Sequence, residues 1–97
     1  MNTQNHRPPL FPLGLVVATP GALQALAAAG QTPAELLARH QAGEWGEVSA
    51  EDQAENDFSV THELRILSAY TLRTGVKVWL LTEADRSSTT LLLPAEY

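Results

Sequence analysis

The chain has 97 residues, 44% hydrophobic and 18% charged, with a net charge of −5 and no cysteine. Those values fit one small globular domain and argue against disorder throughout. They also exclude a disulfide framework and thiolate chemistry, leaving His and carboxylates as the only strong metal ligands.

The start, Met1 to Pro9, is polar and ends in two prolines, so residues 1–9 are expected to form a disordered arm and residues 10–97 a single domain. The arm lacks the apolar core of a signal peptide, and no apolar run approaches the roughly 18–20 residues that cross a bilayer. With the missing cysteines, this predicts a cytoplasmic location without membrane contact. A short strand is expected at about Leu13–Ala18, with Pro12 marking an edge or a strand start.

Thr19-Pro20 opens a segment that stops at Gly30, and Thr32-Pro33 opens one that stops at Gly43. Each reads as Thr N-cap, Pro at the first helical position, a short apolar stripe and a Gly stop, so the two form a helical pair. Thr32 with Glu35 is a capping box. Trp45-Gly46 follows, and Ser49 caps a third helix through about His62, again with a capping box, whose apolar positions are Ala54, Phe58 and Thr61. Glu44, Glu47, Glu51, Asp52, Glu55, Asp57 and Glu63 occur here with no Lys or Arg between Arg39 and Arg65. The acidic helix is a solvated face or a docking face for a basic partner, and Glu51 and Glu55 repel each other at i,i+4.

The last third predicts three strands in a meander. With Thr74-Gly75 as a two-residue turn, Thr71 pairs with Val78 and Tyr70 with Trp79, and the last strand covers about Thr89–Leu93. Both faces of this hairpin are then apolar at the centre. The fold class is α+β in the order β-α-α-α-β-β-β, an antiparallel sheet with the helices packed on one face. In that register Ile66, Tyr70, Trp79 and Leu81 share a face, to be covered by Leu10–Ala18 or by a second copy or partner.

Phe11-Pro-Leu-Gly14, Val17-Ala-Thr-Pro-Gly-Ala-Leu23, Trp45-Gly46 and Thr82-Glu-Ala-Asp-Arg-Ser-Ser-Thr-Thr-Leu-Leu-Leu-Pro94 together resemble a family of small bacterial proteins. These are labelled plasmid-related or hypothetical proteins of plasmids, prophages and integrated elements. The likeness runs through nearly the whole chain after Pro9, with the string from Asp85 to Thr90 its most specific part. It implies a mobile-element setting and supplies no catalytic residue.

Chemistry tested against the residues gives little. A metal site would need His40 and His62 to converge with Glu63 or Glu44, without any ligand spacing in support; His6 lies in the arm, and His40 and His62 read as one surface and one boundary histidine. Ser87, His62 and Asp85 lack a nucleophile elbow. Glu83, Asp85 and Arg86 have the residue types for metal-dependent phosphate chemistry, yet the same residues and the hydroxyls after them can tie down a turn. The segment from Leu23 to His40 has a helix-turn-helix rhythm, but Arg39 and His40 are too little positive charge for duplex binding.

The expectation is a non-enzymatic binding or accessory protein of a mobile element, needing no cofactor, whose partner is a protein or a second copy. Trp45, Tyr70, Trp79, Glu51, Glu55, Asp85 and Arg86 are the candidate partner-binding residues. One alternative is an acidic inhibitor of a host defence or DNA-handling complex that imitates phosphate charge. The other is a small phosphate-processing hydrolase using Glu83, Asp85 and Arg86.

Overall fold

A computed structural model describes residues 8–97. The expected arm lies outside the described residues except for Pro8 and Pro9, and His6 lies outside with it. The elements are β1 (Leu15–Ala18), α1 (Pro20–Ala29), α2 (Pro33–Gln41), α3 (Ala50–His62), β2 (Ile66–Thr71), β3 (Lys77–Thr82) and β4 (Ser88–Leu92), followed by a 3-10 turn over Pro94–Glu96. This is the α+β order read from the sequence. Among the described residues no helix is long and apolar enough to cross a membrane.

Side chains start each helix. The Thr19 hydroxyl accepts from the Ala22 N–H, Thr32 and Glu35 complete a reciprocal box, and Ser49 accepts from the Asp52 N–H. No reciprocal bond forms at Ser49, because Asp52 is one methylene shorter than the Glu that a capping box uses.

The sheet order is β1-β4-β3-β2. The pairs β2–β3 and β3–β4 are antiparallel, but β1 lies parallel to β4, so the sheet is mixed and the fully antiparallel expectation is corrected. The physical reason is the long path between the two strands. A hairpin forces reversal, whereas three helices and two strands intervene here and let the chain re-enter in the same direction.

The hairpin register is also corrected. Thr71 pairs with Lys77, Tyr70 with Val78 and Ala69 with Trp79, one residue from the expected alignment. The loop is Arg73-Thr74-Gly75, closed by the Leu72 N–H on the Val76 carbonyl at 2.8 Å, with Gly75 at φ +94°. A two-residue type I′ turn needs positive φ at both central positions. Thr74, β-branched, resists that, while a three-residue loop asks it only of Gly75.

A one-residue slip exchanges the faces of the sheet. The inward face carries Ile66, Ser68, Tyr70, Val78, Leu80 and Leu91, all buried. Most of it packs on Ala22, Leu26 and Ala29 of α1 and Leu36 of α2. Ile66 joins Phe11 and Trp45 in a second cluster. Trp79 points the other way and is half-buried, its ring 5.7 Å from that of Tyr97 in a T-shaped contact. Tyr70 and Trp79 therefore never share a face, and the expected aromatic patch on one side of the sheet does not exist.

Candidate functional site

Polar groups gather in three places. The first is a row inside the core. His40, expected at the surface or its boundary, is fully buried, with Nδ1 2.5 Å from the Ser68 hydroxyl and Nε2 2.8 Å from that of Thr82. The Thr82 and Thr89 hydroxyls are 2.7 Å apart, and Thr89 donates to the Leu13 carbonyl at 2.8 Å. The row thus crosses the sheet from β2 through β3 and β4 to the residues before β1.

Its proton positions follow from the end. A carbonyl can only accept, so the Thr89 proton lies on the Leu13 side, Thr82 donates to Thr89, and His40 Nε2–H donates to Thr82. Nδ1 is then left to accept from Ser68. His40 is thereby held as one neutral tautomer, and burial pushes its pKa down from 6.5 to about 4. Every buried side-chain polar atom among the described residues has a partner. Ser68 and His40 form a hydroxyl–imidazole pair closed to solvent, a structural arrangement and no accessible nucleophile.

The second place is the outer edge of β2. Asn56, a buried α3 residue, accepts from the Leu67 N–H at 3.2 Å and donates to the Leu67 carbonyl at 2.8 Å. Two residues on, the Ala69 N–H donates to the Trp45 carbonyl at 3.0 Å and the Glu47 N–H to the Ala69 carbonyl at 2.7 Å. Gly46 lies against the strand at φ +79°, where a Cβ would sit 2.0 Å from the Ala69 oxygen, so no other residue fits. Docking through Asn56 and Ser59 turns α3 away from the expected stripe. Ala54, Phe58 and Thr61 are exposed, and the Phe58 ring stacks on His62 at 3.7 Å.

The third place is the turn before β4. Arg86, at φ +62°, sends its guanidinium to the carbonyls of Ser59 at 2.8 Å and Leu64 at 2.7 Å, with longer bonds to Glu83 and Ala84. It thereby neutralises the carbonyl end of α3. Asp85 accepts from the Ser87 N–H at 2.9 Å, and hydrogen bonds from Ser87 hold its carboxyl below the usual range. Glu83 faces Arg65 at 3.5 Å. The Glu83 and Asp85 carboxylates and the Arg86 guanidinium thus have separate partners, and no group of three His or carboxylate side chains among the described residues is placed to share a metal ion.

Of the residues singled out for partner contact, Trp45 and Tyr70 are 4% and 1% exposed. Trp45 donates from Nε1 to Asp57 at 3.0 Å, and Tyr70 donates to the Glu44 carbonyl at 2.6 Å. Burial raises the Tyr70 pKa to about 12. Both build the core instead of offering a surface. Arg39 lies over the Tyr70 ring and 3.8 Å from Glu44, so the second helix presents no free basic row.

Glu51 and Glu55 do reach solvent. Glu44 and Glu47 are paired with Arg39 and Lys77, whereas Glu51, Asp52, Glu55 and Glu63 have no ion pair among the described residues. Two grooves lie along this helix, of about 280 Å³ over Val48, Asp52, Asn56 and Leu67 and about 590 Å³ over Phe58, Ser59, Leu64 and Ala84. Glu55 and Arg65 line both, so the two grooves adjoin and are together called the trough. The sequence signal for it is Phe58, the one Phe, Tyr or Trp in a helix rich in carboxylates. No family model matches the chain, and no curated protein or solved structure matches it either.

Proposed function

We propose that the chain is a non-enzymatic binding protein whose trough along α3 takes a basic, amphipathic segment of another protein. The observation that carries this reading is the meeting of unpaired carboxylates, Asp52 and Glu55 in the first groove, with exposed apolar side chains, Phe58 at 53% and Leu64 at 47% in the second, Glu55 being common to both. Carboxylates at the rim steer a basic segment into register, and apolar side chains on the floor hold it by area removed from water. The resemblance to mobile-element proteins makes an accessory role in such an element the natural setting. A partner that normally holds nucleic acid would meet Glu51, Asp52 and Glu55 as a substitute for phosphate, which is the inhibitor reading in the same geometry.

Selection of displayed random peptides on the immobilised protein tests this. Lys- or Arg-rich peptides with interleaved apolar residues are expected to be enriched, to lose affinity as salt rises, and to bind F58S and E55K at least about 10-fold more weakly with unchanged melting. Enrichment of peptides without basic residues, or binding untouched by both variants, would overturn the reading.

A further inference from the structure

We propose that β1 is a pairing edge for a second copy of this chain, the two copies joining their sheets through antiparallel β1 strands about a two-fold axis at Val17. The backbone is open on that side. Leu15 and Thr19 donate to the Ser87 and Leu91 carbonyls of β4, each at 3.0 Å. Inward and outward residues alternate in a parallel ladder, so Val16 and Ala18 direct their N–H and C=O groups outward. No described segment lies beyond β1 in the sheet order.

The side chains favour the same occupant. Leu15, Val16 and Val17 are 68%, 41% and 41% exposed, and Leu23 at the start of α1 is 49% exposed. No Asp, Glu, Lys, Arg or His occurs from Pro8 to Ala34. The lysines, prolines and bulges that normally guard an edge strand are absent from Leu15–Ala18. In a chain of net charge −5 this neutral edge is where two copies approach with least repulsion, because the acidic residues of α3 lie against the opposite edge. Glu96, whose carboxylate reaches the end of this edge, is occupied by Thr19 and the Leu93 N–H.

Outward groups set the register. Val16 of one copy exchanges both backbone bonds with Ala18 of the other, and Val17 meets Val17 at the axis. Pairing ends there, since Pro20 has no N–H to offer. A four-residue strand buries less than a standard interface, so the expected dimer is weak, with Kd about 0.1 mM.

Sedimentation equilibrium from about 10 µM to 1 mM tests the pairing on the full chain. Wild type is expected to pass from monomer to dimer across that range. V17K and V17E, at an exposed position, are each expected to weaken self-association at least about 10-fold with unchanged circular dichroism, and their equimolar mixture to restore it, because position 17 meets itself. V16P, which removes an outward N–H, is a second variant expected to stay monomeric. A wild type monomeric at 1 mM would overturn the proposal and leave the edge to a strand of another protein. A dimer unchanged in V17K, V17E and V16P would overturn it in favour of a different surface. Peptide binding in the α3 trough is read separately, so either idea can fail without the other.

Discussion

At the β2 edge the outward backbone groups of Leu67 and Ala69 are taken by the Asn56 amide and by the Trp45 and Glu47 main chain, while at the β1 edge those of Val16 and Ala18 meet no neighbouring strand among the described residues. Both strands end the same sheet, and the difference lies in what the flanking sequence supplies. Asn56 imitates a neighbouring strand with one side chain, and Gly46 lets a loop approach within backbone distance. Among the described residues nothing comparable flanks β1, where the apolar side chains of Leu15, Val16 and Val17 are exposed. A closed edge costs sequence constraint at named positions; an open one leaves the chain able to pair.

Opening the closed edge is expected to have the largest effect. G46A places a methyl group against the Ala69 carbonyl at a positive φ, and a loss of about 4 kcal/mol or failure to fold is expected in urea unfolding. A stability within about 1 kcal/mol of wild type would mean that the Trp45–Glu47 contact is dispensable.

The polar row between the two edges predicts a pH dependence. His40 has a pKa of about 4 when folded against 6.5 when free, so the unfolded chain takes up the proton first. Stability is then complete above pH 6.5 and falls as the pH drops from 6.5 to 4, by about 3 kcal/mol at the lower end. Urea midpoints measured across that window check it, and His40 titrating near 6.5 in the folded protein by NMR would contradict the buried neutral tautomer.

A smaller loss, about 2 kcal/mol, is expected for N56A, which leaves the Leu67 N–H and carbonyl without their partner while removing little apolar contact. The Leu67 amide should also exchange faster in that variant. Unchanged exchange would show that another group caps the strand.

Capping chemistry made the helices legible, because Thr19, Thr32 and Ser49 act through bonds to residues three positions away. The order of elements along the chain was legible from equally local patterns, whereas the parallel pairing of β1 with β4 was not. The hairpin register is readable in principle, from Thr74 being a poor residue for positive φ, although a Thr-Gly pair by itself also suits the shorter turn. His40 was not legible as a core residue from its own helix alone. The signal is distributed over Ser68, Thr82 and Thr89, hydroxyls that only the folded sheet brings into line. The rotation of α3 escaped because it docks through Asn56 and Ser59, and hydrophobic periodicity cannot see a helix held by polar bonds. For the candidate sites, the acidic stretch was evident, yet the trough needed Leu64, Arg65 and Ala84, which come from outside the helix.

Hydrogen exchange at single amides compares the two edges most directly. In dilute protein, Leu67 and Ala69 are expected to exchange slowly although they end the sheet, Leu15 and Val17 slowly through β4, and Val16 and Ala18 fast. Raising the concentration into the millimolar range should slow Val16 and Ala18 alone. Slow exchange at Val16 and Ala18 in dilute protein would contradict the account, because the β1 edge would then already be covered.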